Sequence, residues 1–209
     1  EGLKKTIYSA MALGILDITA EEEKFDHKLI KILAFVGIPS AFLLHGYVGF
    51  IFGAVKANPW WSTPLMPIIF LMSAIVSGIA LLIVMYVVVT KIRKAPLDYP
   101  CIHTMAIWLG GFLTVDVAIE GLEVFSMLYT SEESWPIISQ LISQKITVSY
   151  VYIQFFAGSV FPLAALASIA MLTYHERVKT AVISVSSILV VIGVFAMRYT
   201  VVIGGQLMS

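Results

Sequence analysis

Long apolar stretches alternate with short polar ones along the whole chain. Five of them are long enough for a helix to cross a bilayer, which takes roughly 17–25 residues. They cover residues 30–54, 66–89, 101–129, 147–172 and 180–197. The pattern predicts an all-α polytopic membrane protein with five transmembrane helices in this chain.

The composition fits this class. Of the 209 residues, 59% are hydrophobic and 12% are charged, whereas a soluble domain has about 45–50% apolar and about 25% charged residues. The net charge is zero and there is no basic block, so nothing favours nucleic acid as a partner. The single cysteine, Cys101, excludes an internal disulfide and a cysteine-ligated cluster held by this chain alone.

The first 29 residues contain no spanning stretch. The apolar run 6–16 is too short to span, and the lysines before it favour a helix lying in the membrane interface. Thr19 and Glu22 fit a capping box that begins a second short helix. We expect cytoplasmic interfacial linker helices in residues 1–29 and a transmembrane bundle in residues 30–209. Because the chain starts at Glu1 rather than Met, we also expect it to be an incomplete portion of a longer protein.

Basic residues predict the orientation. Ten of them lie before the first span, at its first turn or in the second and fourth loops, and three lie on the opposite side. Since cytoplasmic loops carry an excess of Lys and Arg, the N-terminal segment should be cytoplasmic. Loops one and three and the C-terminal end should face outward.

Small and aromatic residues indicate how the helices meet. Gly46, Gly49 and Gly53 in the first span include one G-x-x-x-G pattern, which favours close helix packing. Trp60 and Trp61 in the first outer loop fit an interfacial aromatic belt.

The third span carries three carboxylates, Asp116, Glu120 and Glu123. Their spacing of four and three places them on one helix face. An ionised acid at the bilayer centre costs about 2.5–3.5 kcal/mol even on the mildest scale. The acids should therefore face the bundle interior. They are either structural, tied to Arg198, Lys145 or tyrosines, or functional, as a proton path or the polar wall of a ligand pocket.

His45 lies in the first span at a depth similar to that of Asp116 and Glu120. It is either a hydrogen-bonded tether between helices or a group with a ligand or proton role. The other histidines lie near span ends, so no deep pair for haem is predicted, and clustered metal ligands are lacking. Outer polar groups, with Arg198 and Gln154 among them, could line a pocket suited to a quinone ring.

Residues 44–82 carry a more specific pattern of glycines, prolines and aromatic residues: Gly46, Gly49, Pro59, Trp61, Ser62, Pro67, Phe70, Ser73 and Gly78. This stretch resembles the signature of the NrfD/PsrC family, the membrane subunits of polysulfide-reductase-like complexes. The ending Arg198 to Gln206 is similar to the late outer segment of the family. The long third span most resembles the ten-helix branch, with the DsrP-type subunit of the DsrMKJOP complex as the expected relative.

The resemblance implies the second four-helix bundle plus a neighbouring helix of an NrfD-like fold. It also implies a quinone-reactive subunit of a respiratory oxidoreductase complex in a prokaryotic cytoplasmic membrane. Such a subunit binds menaquinone, holds no haem or iron–sulfur cluster itself, and exchanges electrons with a periplasmic, ferredoxin-like iron–sulfur subunit. Further implied partners are a multihaem cytochrome c, a haem b membrane subunit and a cytoplasmic iron–sulfur subunit.

Quinol oxidation releases protons, which gives the acids a physical task. In this interpretation His45 and Glu120 accept protons near a quinone headgroup, Asp116 is the inward relay, and Glu123 and Arg198 form the exit. Proton translocation would be an additional function. An ion-coupled secondary transporter and a purely structural membrane anchor remain the alternatives.

Overall fold

A computed structural model describes residues 20–130, 134–172 and 174–208, and these residues are helical apart from short connections. The helices are α1 (Ala20–Gly53), α2 (Met66–Arg93), α3 (Tyr99–Thr130), the short α4 (Trp135–Gln140), α5 (Phe161–Met171) and α6 (Glu176–Gln206). Two π-helical segments, Leu141–Lys145 and Val148–Val160, connect α4 to α5.

Five helical stretches in the described part of the chain are long and apolar enough to cross a membrane: Phe25–Gly53, Met66–Arg93, Tyr99–Tyr129, Val148–Met171 and Glu176–Gln206. The predicted all-α fold with five spans is confirmed. The last helix is longer than the predicted span 180–197, because it continues through the apolar segment that ends at Gln206.

The short helix predicted to lead into the first span is continuous with it, because a single helix, α1, runs from Ala20 to Gly53. The predicted interfacial helix over 6–16 and the capping residue Thr19 lie outside the described residues. The first of two compact units ends at Leu44, and from Phe25 to Leu44 every side chain is exposed. The second unit begins at His45 and contains the candidate site.

Within the second unit, one end of the bundle is a dry apolar core. We call this the inner end; it carries Arg93, Tyr99 and Glu176, and the charge pattern predicts that it is cytoplasmic. Its buried side chains come from α2, α3, α5 and α6: Val76, Ala80, Ile83, Ile102, Ala106, Leu109, Leu113, Leu166, Ile169, Ile183 and Val190. The opposite, outer end carries the first outer loop, α4 and the end of α6.

Glycines set the closest approach between the longer π-helical segment and α6. A Cβ atom added to Gly158 would collide with the Cα atom of Gly193, and the reverse also holds. Such contact between backbones is how small residues hold membrane helices together. Further toward the outer end, Gln154, one turn from Gly158, and Thr200, two turns from Gly193, lie within hydrogen-bond distance.

The first outer loop is fastened to the end of α6. Asn58 Nδ2 donates to Gly205 O (2.8 Å), Trp60 Nε1 to Thr200 O (3.3 Å) and Trp61 Nε1 to Val201 O (2.6 Å). Side chains at positions 204 and 205 would collide with the two indoles, which explains the paired glycines there. The aromatic-belt prediction is wrong for Trp60, which is only 5% exposed.

The end of α1 packs tightly against the start of α2. A Cβ on Gly49 would collide with Met66 and Pro67, and one on Gly53 with Thr63 O. The predicted role of these two glycines in close packing is confirmed, whereas a Cβ on Gly46 would meet nothing within 4 Å.

Candidate functional site

The three acids of α3 lie along one interior face of the second unit. Asp116 is 5% exposed, while Glu120 and Glu123 are partly buried. From Asp116 to Glu123 the helix rises by about 10 Å, at about 1.5 Å per residue. Because α3 runs from the inner to the outer end, Asp116 is the innermost carboxylate of this acid row and Glu123 the outermost.

Glu120 has a partner on the longer π-helical segment. Gln154 Nε2 donates to Glu120 Oε1 at 3.2 Å, and Gln154 is itself 6% exposed. The hydroxyl of Thr200 on α6 donates to Gln154 Oε1 at 3.0 Å and also lies 2.8 Å from Met197 O. Three helical elements therefore meet through Glu120, Gln154 and Thr200.

The π-helical backbone explains the position of Gln154. Its hydrogen bonds run to carbonyls five residues earlier, as in Phe161 N to Phe156 O, so residues four to five apart share one face. Tyr150, Gln154, Gly158 and Ser159 accordingly line the cavities beside the acids. Pro162 follows directly, and a proline ring clashes with the carbonyl four residues before it, which a wider turn avoids.

An outer cavity of about 30 Å³ extends from Glu120 and Glu123 to Trp135 and Ile138 of α4. Its wall also includes Tyr150, Gln154 and Trp60, whose ring lies edge-on to Tyr150 with a centroid distance of 5.7 Å. A volume of this size holds one or two waters, because a water needs about 10–15 Å³. It does not hold a quinone ring, since ligand pockets measure about 300–1,000 Å³.

A second, inner cavity of about 10 Å³ lies on the other side of Glu120 and Gln154. Asp116, Ser73 and Ser159 contribute its other polar side chains. On its inner side it meets the dry core, because Leu113 lines the cavity and belongs to that core as well. The acid row is therefore closed by packed apolar side chains toward the inner end.

Asp116 lines the inner cavity and Glu123 the outer one, and each has a buried carboxylate oxygen without a hydrogen-bond partner in the protein, Oδ1 and Oε1 respectively. Buried polar atoms are nearly always hydrogen-bonded, to protein or to ordered water. Both cavities therefore have the size and the polar wall of water sites.

Arg198 is not paired with the acids. Its Nη2 donates to Ser73 Oγ at 3.3 Å, and its guanidinium lies 5.1 Å from the ring centroid of Phe70. Lys145 Nζ donates to Leu207 O at 3.1 Å. Within the described ranges the ion pair Lys179–Glu176 is the one found, so neither cation forms a salt bridge with the acid row.

His45 is partly buried near the end of α1, and it is absent from the walls of both cavities. The acids thus come together with Gln154 and Thr200, while His45 lies outside this group. Gln154 appears among the outer polar residues of the sequence, but its pairing with Glu120 is visible only in three dimensions. In the sequence, nothing distinguishes Thr200 from any other polar residue near the end of an apolar helix.

No group of three His, Cys, Asp or Glu side chains able to hold a metal ion occurs among the residues that the structure describes. The polar chemistry of the site consists of carboxylates, one amide, hydroxyls and water-sized space. Such an arrangement can accept, hold and pass protons.

Fold and site together define a polytopic helical membrane protein with a buried acid row that approaches the surface at one end. Residues 3–209 match the family described as "Polysulphide reductase, NrfD". The chain belongs to this family, and the resemblance to NrfD/PsrC proteins in its sequence is confirmed.

Two relatives illustrate the kinship, and both are named as third subunits of reductases. The selenate reductase protein from Mesobacillus selenatarsenatis is 40% identical over 92 residues, which cover 41% of this chain and 21% of the relative. The putative dimethyl sulfoxide reductase membrane protein from Halobacterium salinarum is 28% identical over 188 residues, covering 88% of this chain and 41% of the relative. The chain thus spans less than half the length of each.

Proposed function

We propose that this chain is part of the quinone-linked membrane subunit of a respiratory reductase complex in a prokaryotic cytoplasmic membrane. Its acid row would carry the protons of quinol oxidation toward the outer surface. The family match and the two reductase relatives support the first part. The observation that carries the second part is the pair of water-sized cavities that meet at Glu120.

The roles of the acids follow from their order. Glu120 borders both cavities and is the central carrier, Asp116 is the inward relay, and Glu123 passes protons toward the outer end. Arg198 donates to Ser73, which lines the inner cavity, and its predicted role at the exit remains a prediction. A proton-accepting role for His45 remains a prediction.

The direction of proton transfer along the acid row is inferred from the apolar packing at its inner end. Toward the inner end the space below Asp116 is filled by buried apolar side chains, among them Leu109, Leu113 and Val190. Water and protons pass such packed hydrocarbon poorly, so the row exchanges protons with the outer side. This favours outward proton release at quinol oxidation over proton translocation through this part of the chain.

The quinone ring is proposed to react outside the two cavities beside the acid row, because neither is large enough for it. Electrons would pass there to a periplasmic, ferredoxin-like iron–sulfur subunit, with menaquinone as the substrate. The two relatives favour a terminal reductase as the owner of the subunit. A DsrP-type assignment, with its multihaem cytochrome c, haem b and cytoplasmic iron–sulfur partners, remains a prediction.

The first test identifies the proteins and cofactors that purify with the subunit. The subunit should be purified from its native membrane with its partners, which mass spectrometry and haem and iron–sulfur spectra then identify. We expect an iron–sulfur partner. A colourless protein without partners that drives ion-coupled uptake into liposomes would contradict the proposal and favour a transporter.

The second test is Glu120→Gln in the purified complex. Removing the central carrier should lower quinol turnover by about a hundredfold, the lower end of what a positioned proton-transfer group contributes. The matched control is Glu176→Gln, the same change at an exposed glutamate paired with Lys179, and it should retain turnover. Wild-type turnover in Glu120→Gln would contradict the proton path and favour a structural anchor.

A further inference from the structure

The wall between the two cavities consists of a glutamate and a glutamine. Glu120 and Gln154 both line the outer cavity and the inner one. They are joined by the hydrogen bond from Gln154 Nε2 to Glu120 Oε1. A proton that moves from the Asp116 side to the Glu123 side must therefore pass this pair.

Both ends of the Gln154 amide are occupied. Its oxygen accepts from the Thr200 hydroxyl, so its NH2 group is directed at the carboxylate. Which end of an amide faces a neighbour depends on its hydrogen bonds. Without the Thr200 hydroxyl, the present orientation of the Gln154 amide would lose one of the two bonds that favour it. Thr200 thus fixes which end of Gln154 faces Glu120. The hydroxyl also has a second acceptor, Met197 O, so it is not orphaned when Gln154 is replaced.

We propose that Gln154, oriented by Thr200, is a positioning residue that controls proton exchange between one water site in each cavity. The inference rests on the proposed proton path and adds two residues to it. The two oxygens without a partner in the protein, Asp116 Oδ1 and Glu123 Oε1, belong to one acid on each side of the pair.

The proton transfer balances at each step. A water hydrogen-bonded to Asp116 gives a proton to the Glu120 carboxylate and takes one from Asp116. Protonated Glu120 then gives its proton to a water beside Glu123, that water passes a proton to the Glu123 carboxylate, and the carboxylate of Glu120 is restored. The reverse steps return a proton to Asp116, whose inner side is closed. Gln154 neither gains nor loses a proton, because an amide does not titrate in this range. It holds one carboxylate oxygen of Glu120, so the other is free to face either water.

The chain offers a matched pair of variants for the test. Thr200→Val keeps the shape of the side chain but removes the hydroxyl, whereas Thr200→Ser keeps the hydroxyl. Gln154→Leu removes the amide at similar volume. Each variant is introduced into the whole complex, and quinol turnover is measured together with redox-difference infrared spectra. The carboxyl band of Glu120 is identified by its loss in Glu120→Gln.

We expect Gln154→Leu and Thr200→Val to lower kcat about tenfold, the order of one hydrogen bond to a charged group. The KM for quinol should stay unchanged, and the Glu120 band should shift. Thr200→Ser should restore both the band and the turnover. A purely structural role of the hydroxyl would change the yield of the complex without moving the infrared band.

The outcomes separate this inference from the proposed function. If Glu120→Gln is slow while Gln154→Leu and Thr200→Val keep the wild-type band and turnover, the inference is overturned and the proton path stands. If Glu120→Gln itself turns over at the wild-type rate, the proposed function fails, and this inference fails with it.

Discussion

The outer and inner halves of the second unit are built from the same long helices, yet they are packed by different means. The inner half has a core of aliphatic side chains such as Val76, Leu109 and Val190, each without measurable exposure, beside a groove of about 220 Å³ between α3 and α5. The outer half contains the acid row, both water-sized cavities and the indole contacts to α6. The backbone also differs, because the π-helical segments lie toward the outer end.

This difference shows how one bundle can hold polar groups without conducting through its whole length. In lipid, polar groups need partners within the protein, and the outer half supplies them by wider helical turns, glycine contacts and backbone carbonyls. The described part of the inner half has no buried carboxylate, and its buried hydroxyls need only carbonyls of their own helix, as where Ser187 Oγ donates to Ile183 O. Leu113 marks the boundary, since it borders the inner cavity and belongs to the dry core.

The largest loss of stability is expected from Trp60→Ala in the outer half. The change removes a buried indole that bonds to Thr200 O and packs on Tyr150, at a cost of about 3–5 kcal/mol. Thermal unfolding of the purified complex measures it. Trp60→Phe keeps one aromatic ring and should lose less, about 0.5–1.5 kcal/mol for the hydrogen bond and a smaller packing loss for the missing five-membered ring. Equal losses in both variants would contradict the packing role of the indole.

A smaller loss of stability is expected at Leu113, the boundary between the two halves. Leu113→Asn places an amide against the dry core, and an unsatisfied polar group costs about 1–3 kcal/mol. It should also let water past Asp116, so that passive proton leakage into proteoliposomes rises several-fold. Leu113→Met keeps the volume and should leak no more than wild type. Leakage that is equal in both variants would show that the inner half is not the barrier.

The smallest loss of stability in the series is expected from Gly193→Ala. Overpacking costs about 1–3 kcal/mol and the gain in helix propensity is about 1 kcal/mol, which leaves a net destabilisation of about 1 kcal/mol. Gly78→Ala, where the added Cβ meets nothing within 4 Å, should instead be neutral or stabilising. Opposite signs in thermal unfolding would support the backbone contact. The same sign at both sites would argue against it.

Much of the fold could be predicted because it follows from the length of apolar runs. The extension of α6 to Gln206 could not, since it depends on Gly204 and Gly205 packing against two indoles from a distant loop. For the same reason Trp60 resembles a membrane-interface residue in sequence and is buried in the structure.

The acids of the site could be predicted from their spacing on α3, but their partners could not. The pairing of Glu120 with Gln154 depends on a π-helical register and on the contact between Gly158 and Gly193. Matching depth put His45 in one group with the acids, but depth does not determine which face of a helix a side chain occupies. His45 lines neither cavity, and the predicted roles of His45 and Arg198 in a proton path remain predictions.

The most direct measurement determines the side of the membrane on which protons appear during quinol oxidation. The complex is reconstituted in proteoliposomes, with one impermeant pH dye outside and another trapped inside. We predict that the protons of each quinol appear at the outer face of the protein, and that Glu120→Gln slows this signal together with turnover. Protons appearing at the inner face, or an outer signal that does not depend on Glu120, would contradict an outward-opening acid row.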